Sequence, residues 1–264
     1  MPNLEARKSA GHHYIPLAEV VEYVDRLLSH ATVQDWPNAM NGLQVENSGA
    51  IHRIGAAVDA CEATLAMARE RGIDFLLVHH GLFWGGLQRI QGPVYRRLRL
   101  ALEGDIAVMS SHLPLDLHPV FGNSAQLARA IGLENPQPFF FEKGAYIGVK
   151  GEFPGNRSEL HERLREVLGG EVRLIPGGSE NPGTVGVVTG GAGSDVQKAA
   201  QEGVTTFISG EASHPAFAAA EEWRVNLFLG GHYATETFGV KALAEHLSER
   251  YQLPWEFLDH PSGL

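Results

Sequence analysis

Residue types that ligate metals recur where short apolar runs end. His79 and His80 lie in "DFLLVHHGLFW", Asp116 closes "IAVMSSHLPLD", and His232 with Glu236 lies in "NLFLGGHYATE". The runs Phe75 to Val78, Ile106 to Met109 and Leu227 to Leu229 have the length and apolarity of short buried strands. Open α/β sheets place binding crevices beyond the carboxyl ends of their strands, so three such ends can deliver these side chains to one place. Imidazole nitrogen and carboxylate oxygen together suit divalent transition metals. Three histidines and two carboxylates suit a pair of ions with a carboxylate such as Glu236 bridging them. Such a pair, about 3.5–4 Å apart, activates water and clamps a phosphoryl or carbonyl oxygen.

Each of these residues also has a plainer reading. Adjacent histidines within a strand point to opposite faces, one to the core and one to the surface, and converge only where the strand breaks. Gly81 reads as permitting that break. His232 and Glu236 are four apart at a helix start and share a face. That spacing is common by chance, and a Glu in a first turn also complements the helix dipole. Asp116 could cap the helix "GNSAQLARA", but Asn123 or Ser124 is better placed as cap, which leaves Asp116 to act as a ligand. His112, Glu211 and His214 lie at strand ends, as candidates to orient ligands or carry protons, or as ordinary hydrogen-bonded polar residues. Phe83 and Trp84 either wall the site, stacking on a ring-shaped substrate, or fill the core.

Three further segments carry weaker signals. "TGGAGSD" (Thr189 to Asp195) opens a helix after a strand, where backbone N–H groups can cradle phosphate. It lacks the third glycine of a dinucleotide fingerprint and the Lys of a P-loop, so it reads as a tight turn. Asn41, Gly42 and Gln44 read as a turn near the pocket. Cys61 reads as a buried or helix-starting thiol with no base beside it.

The elements that must position these residues follow from periodicity. Leu17, Val20, Val21, Val24, Leu27 and Leu28 mark an amphipathic helix, preceded by roughly a dozen loose residues. "IGAAVDA", "CEATLAMARERG" and "IDFLLVHH" make a strand–helix–strand unit with parallel strands. "PVYRRLRLALEG", "DIAVMSSH" and "GNSAQLARAIG" continue the alternation as helix, strand and helix. Around Pro136 and Pro138 the texture changes, and "FFFEKGAYIGVKGEF" reads as antiparallel strand. Beyond the helix "RSELHERLREVLGG", the strands "EVRLIP", "TVGVVTG", "TTFISGE" and "VNLFLGG" alternate with the helices "DVQKAAQEG" and "HPAFAAAEEW". A long helix then runs from near His232 to about Arg250, and "WEFLDH" is a last strand. The fold class is α/β, with two similar lobes built on mixed, mostly parallel sheets. The expected division is 1–134 plus about 232–264 as the metal-site lobe and 135–231 as the second. A site shared by His79 and His232 requires the last helix to return to the first lobe.

Composition narrows the function classes. A chain of 264 residues with a net charge of −10 lacks the basic surface that phosphate-driven nucleic-acid binding needs. The single cysteine excludes an internal disulfide framework, the start "MPNLEARKSAGHHY" has no apolar signal core, and no apolar run is long enough to span a bilayer. A cytoplasmic protein without membrane or nucleic-acid partners is expected.

The blocks "NGLQVE", "VDA", "LLVHHGLFW", "SSHLPLDLHP" with "GNSAQLA", "ISGEASH" and "GGHYATE" resemble, in order and over nearly the whole chain, the signature blocks of the Nif-three-like dinuclear metal-centre family. Its members are often named GTP cyclohydrolase I type-two homologs. The resemblance implies that His79, His80, Asp116, His232 and Glu236 bind two divalent ions per chain, iron, zinc or manganese. It implies a two-lobed fold in which the last segment returns to the first lobe, and a ring-shaped homohexamer built as a trimer of dimers. Some longer members carry an inserted middle domain, for which this chain is too short. The expected function is hydrolysis of a nucleotide or another small phosphorylated or cyclic-amide molecule. The alternatives are a non-enzymatic metal-binding regulator or metal chaperone and, third, binding of single-stranded nucleic acid in a ring cavity.

Overall fold

A computed structural model describes residues 13–264, and the expectation for the first dozen residues lies outside them. The chain divides into two compact units. The first comprises the described residues up to His112 with Lys241–His260, and the second comprises Leu113–Val240 with Pro261–Leu264.

The first unit contains, in chain order, β1 (Ile15–Pro16), α1 (Leu17–Leu28), β2 (Gly42–Val45), β3 (Ala50–Ile51), β4 (Ile54–Asp59), α2 (Glu62–Glu70), β5 (Phe75–His80), α3 (Pro93–Glu103) and β6 (Ala107–Ser110). The second contains α4 (Leu113–Asp116), α5 (Asn123–Ile131), β7 (Glu134–Glu142), β8 (Ala145–Glu152), α6 (Arg157–Leu168), β9 (Arg173–Pro176), β10 (Thr184–Val187), α7 (Val196–Gln201), β11 (Thr206–Ser209), α8 (Ala216–Glu222), β12 (Asn226–Leu229) and α9 (His232–Thr235). The chain then passes along α10 (Thr237–Tyr251) to β13 (Trp255–Phe257), so that the segment from Lys241 rejoins the first unit.

The first unit's main sheet has the order β13-β4-β5-β6-β2. Its strands β13, β4, β5 and β6 run parallel, and β2 closes the edge antiparallel to β6. The near-continuous apolar sequences of β4 and β5 follow from this position, because a central parallel strand is buried on both faces. Phe75, Leu76, Leu77 and Val78 are all fully buried. The segment read from sequence as a turn at Asn41, Gly42 and Gln44 is instead largely the edge strand β2, paired through Gly42 and Leu43 to Ser110 and Met109.

The second unit's sheet has the order β7-β8-β10-β11-β12-β9, with β10, β11 and β12 parallel and antiparallel pairings at both sides. Strand β7 begins at Glu134 and includes both prolines of the texture change. An edge strand tolerates residues that lack an N–H, and the register shifts between Glu134 and Gln137 where the first proline sits.

The segments 113–134 and 232–240 belong to this unit rather than to the first, as packing explains. Leu127, Ala128, Ile131 and Leu133 share a core with Leu160, Val185, Ile208 and Phe228. Thr235 Oγ1 accepts a hydrogen bond from Gly190 N at 3.1 Å, and Asn123 Oδ1 accepts one from Gly239 N at 2.7 Å. The architecture is α/β with mixed, partly parallel sheets. No described helix is long and apolar enough to cross a membrane.

Candidate metal centre

His79 and His80 both belong to β5, at its carboxyl end, and their ring centroids lie 4.8 Å apart. His79 is fully buried and donates Nδ1–H to the Ser111 carbonyl, 3.0 Å away beyond the end of β6. His80 is half-buried, and its Nδ1 meets Asp59 Oδ1 at 2.9 Å, from the last residue of β4. Three neighbouring strand ends thus fix two rings. The glycine that follows serves a different purpose from the strand break expected of it. Its φ is not positive, and a Cβ there would lie 2.3 Å from Gln44 Nε2. Gln44 crosses that position from β2 to accept the Leu82 N–H at 2.7 Å, and its amide donates to the carbonyls of Ala39 and Met40.

His112 completes the group. Its ring centroid stands 4.9 Å from that of His79 and 5.7 Å from that of His80. The ligand-capable atoms of His79, His80 and His112 lie within 4.8 Å of one another. Sequence places His112 among the orienting residues, but its own ring is oriented by others. His112 Nδ1 meets Asp35 Oδ1 at 2.9 Å, and the Asp35 side chain is only 5 % exposed. Asn41 bridges the pair, donating to Asp35 Oδ2 at 2.8 Å while accepting the His112 N–H at 2.7 Å. Burial pushes the Asp35 carboxyl up, but hydrogen bonds from His112, Asn41 and the Trp36 N–H outweigh it and hold the group below its ordinary range. In each of the three rings an oxygen acceptor engages Nδ1, which fixes the tautomer and makes Nε2 the nitrogen that could ligate a metal. The donor set therefore fits a metal.

A further histidine supports this group from behind. His30, at the end of α1's cap, donates Nδ1–H to Asp25 Oδ1 at 2.7 Å, and its Nε2 accepts the Ser111 hydroxyl at 2.9 Å. Burial lowers the His30 pKa from 6.5, against an opposing pull from Asp25. The unfolded chain therefore takes up a proton near pH 6.5 that the folded chain refuses, so His30 supports stability above that pH and the support is lost as pH falls below it. The unfolding free energy measured by denaturant titration is expected to decline below pH 6.5, with a shallower decline in His30→Gln. Equal slopes in the two proteins would contradict this.

The second unit holds the other candidates. His232 opens α9, and Glu236 follows it where the helix is interrupted before α10. The single long helix expected from sequence is therefore two. At Glu236 the backbone N–H turns to the Tyr233 carbonyl, three residues back, and φ is −102°. His232 Nε2 lies 3.1 Å from Glu236 Oε2, and its Nδ1 lies 2.8 Å from Glu211 Oε1. The Glu236 hydrogen bond first, and Glu211 with it, raise the His232 pKa to about 9 against the opposing effect of burial. Without a metal the imidazole carries a proton between two carboxylates, and a dication is the natural replacement for that proton. Glu236 is 4 % exposed.

Gly190 is what permits this placement. It has φ +69°, and a Cβ there would fall 2.1 Å from Glu236 Oε1 and 3.4 Å from His232 Nε2. The turn "TGGAGSD" thus contributes to the candidate site by leaving room for the carboxylate, a role not evident from its spacing. Asp116 ends the short helix α4, where sequence suggested a turn. The Asn123 amide donates to Asp116 Oδ1 at 2.8 Å, so Asn123 orients the carboxylate instead of capping α5, whose cap is Gly122. His214 is exposed in the loop before α8, and its side chain makes no ring contact or hydrogen bond among the described residues. Cys61 caps α2, its sulfur 3.6 Å from the Thr64 hydroxyl.

Residues 15–262 match the Duf34/NIF3 (NGG1p interacting factor 3) family. The chain belongs to that family. A Deinococcus radiodurans relative named GTP cyclohydrolase 1 type 2 homolog is 43 % identical over 229 residues, covering 86 % of this chain and 87 % of that protein. A Pyrococcus abyssi family member of the same name is 39 % identical over 249 residues, covering 93 % of this chain and 98 % of its own. The crystal structure of TTHA1606 from Thermus thermophilus superposes with a TM-score of 0.86 at 39 % identity, over 95 % of this chain and all of that one (100 %). Reduced HcgD from Methanocaldococcus jannaschii has a TM-score of 0.84 at 26 % identity, over 94 % of this chain and 100 % of its own.

Proposed function

We propose that His79, His80, Asp116, His232 and Glu236 hold two divalent ions and that the protein is a metal-dependent hydrolase. The substrate class is a nucleotide or another small phosphorylated or cyclic-amide molecule. The observation that supports this most directly is the pairing of His79 and His80, whose ligand atoms lie within 4.8 Å of each other and of the neighbouring His112, with each Nδ1 held by an oxygen. Three imidazoles whose Nδ1 atoms are already engaged present their remaining nitrogens close together, which is the donor type a borderline transition metal takes. When bound, the ions supply Lewis acidity toward a phosphoryl or carbonyl oxygen and lower the pKa of bound water. Iron, zinc and manganese all accept this donor set. The relatives' shared name, GTP cyclohydrolase 1 type 2 homolog, adds a reason to begin with nucleotides. We propose further that the protein is a homohexamer, as the family resemblance implies, and that it is cytoplasmic, in keeping with its single cysteine.

Glu211 holds His232 and Asp35 holds His112, each carboxylate fixing the orientation of the ring it touches. Replacing Asp35 by Asn is expected to weaken metal binding about 10–100-fold, the usual effect of losing such a partner. Competition against a chromogenic chelator measures it, and unchanged affinity would remove His112 from the centre. The functional test is a panel of nucleotides, GTP included, offered to protein loaded in turn with iron, zinc and manganese, with phosphate release and ring opening both followed. Turnover that disappears in Glu236→Ala supports the hydrolase. Metal-loaded protein that turns over none of them, and gives up its metal readily, supports the regulator or chaperone reading instead.

A further inference from the structure

Trp84 carries a buried indole Nε1–H that has no hydrogen-bond partner among the described residues. Such a donor is costly to leave unmade, and native structures keep few of them without a functional reason. Its place in the fold gives one. The indole follows β5 by four residues and stands nearly perpendicular to two of the clustered imidazoles, 4.8 Å and 84° from the His112 ring and 5.7 Å and 78° from the His80 ring. Indole nitrogen is a donor only and has no lone pair for a metal, so it does not serve as a ligand. Among the side chains packed on these rings, the carboxylates of Asp59 and Asp35 are already engaged at Nδ1 of His80 and His112. The group that matches an unused neutral donor beside a cation-binding trio is an anionic oxygen.

We infer that the Trp84 indole N–H donates a hydrogen bond to a phosphoryl oxygen of the substrate held at the histidine trio. This rests on the metal-centre reading and adds to it the residue that fixes the orientation of a phosphorylated substrate. A neutral donor adds no charge repulsion against the cations and discriminates for an oxygen acceptor at that position. Substrates presenting a methyl or other apolar group there leave the donor buried and unpaired, which disfavours them.

The test uses inorganic phosphate and the full chain, with metal content measured on every sample. Calorimetric titration of phosphate into metal-loaded protein is compared with Trp84→Phe, which keeps an apolar ring and removes the N–H. The expected result is equal metal content and a phosphate Kd about tenfold higher in the variant, as for loss of one hydrogen bond to a charged acceptor. A second readout separates hydrogen bonding from packing. The protein has four tryptophans, and the indole resonance missing from the variant is that of Trp84. In the wild type this resonance is expected to move downfield when phosphate is added. Metal-loaded protein that binds phosphate equally well in both forms, or whose Trp84 resonance does not respond, overturns this inference and leaves the metal centre standing. Wild-type protein that takes up no metal overturns both.

Discussion

Replacing Glu236 by Ala is expected to remove bound metal, and with it any hydrolysis, while the protein remains folded. The side chain is almost fully buried, and its carboxylate lies 3.1 Å from His232 Nε2. Burial of a carboxylate costs free energy unless a cation compensates it, so its retention in such a place indicates a charge partner. In the metal-free protein that partner is protonated His232, whose pKa stands near 9 chiefly because of Glu236. Removing the carboxylate takes away the largest influence raising the His232 pKa and, in the proposed metal centre, one ligand. The affinity loss should exceed the roughly 10–100-fold typical of losing a residue that merely orients a ligand. Elemental analysis with circular dichroism on the same sample reads both halves of the expectation. Undiminished metal in a folded Glu236→Ala protein would show that the carboxylate is no ligand.

The second large effect is expected at Gly190, which carries no functional group. A methyl there would sit 2.1 Å from Glu236 Oε1, and the backbone has φ +69°. The left-handed conformation alone costs about 1–2 kcal/mol for an alanine. The clash adds displacement of Glu236 from the position it shares with His232. Gly190→Ala is therefore expected to lower both the unfolding midpoint and the metal content, approaching Glu236→Ala in the latter. Gly203, also at positive φ but with open space around its missing Cβ, is the control. Gly203→Ala should show the strain and keep the metal. Equal metal content in both glycine variants would mean that Glu236 adapts, and that Gly190 is only a turn residue.

These two positions show where sequence reasoning reached and where it stopped. The apolar run before His79 and His80 announced a buried strand, and β5 is one, because residues at the centre of a parallel sheet are apolar on both faces. The helix spacing of Leu17, Val20, Val24 and Leu28 was equally plain, and all four are buried. Local patterns of this kind are written in neighbouring residues. Asp35 is not legible in the sequence because its partner His112 lies 77 residues away, and nothing in "VQDWPN" marks that carboxylate as buried. Gly190 reads in the sequence as a turn glycine because spacing shows a backbone need but not the side chain that arrives from Glu236. Asn123 misled for a related reason. It occupies the start of α5, where capping is the local expectation, yet its amide is recruited by Asp116 and its carbonyl by Gly239. The unit boundary moved because the apolar face of α5 fits the core around Leu160 and Ile208, a match that no composition change announces.

The most direct test of the metal centre is elemental analysis of protein purified without chelator or added metal, beside a variant with His79 and Glu236 both replaced by Ala. About two metal equivalents per chain in the natural protein, absent from a folded double variant, are what the account requires. A natural protein that carries none, and takes up none when iron, zinc or manganese is supplied, would contradict it.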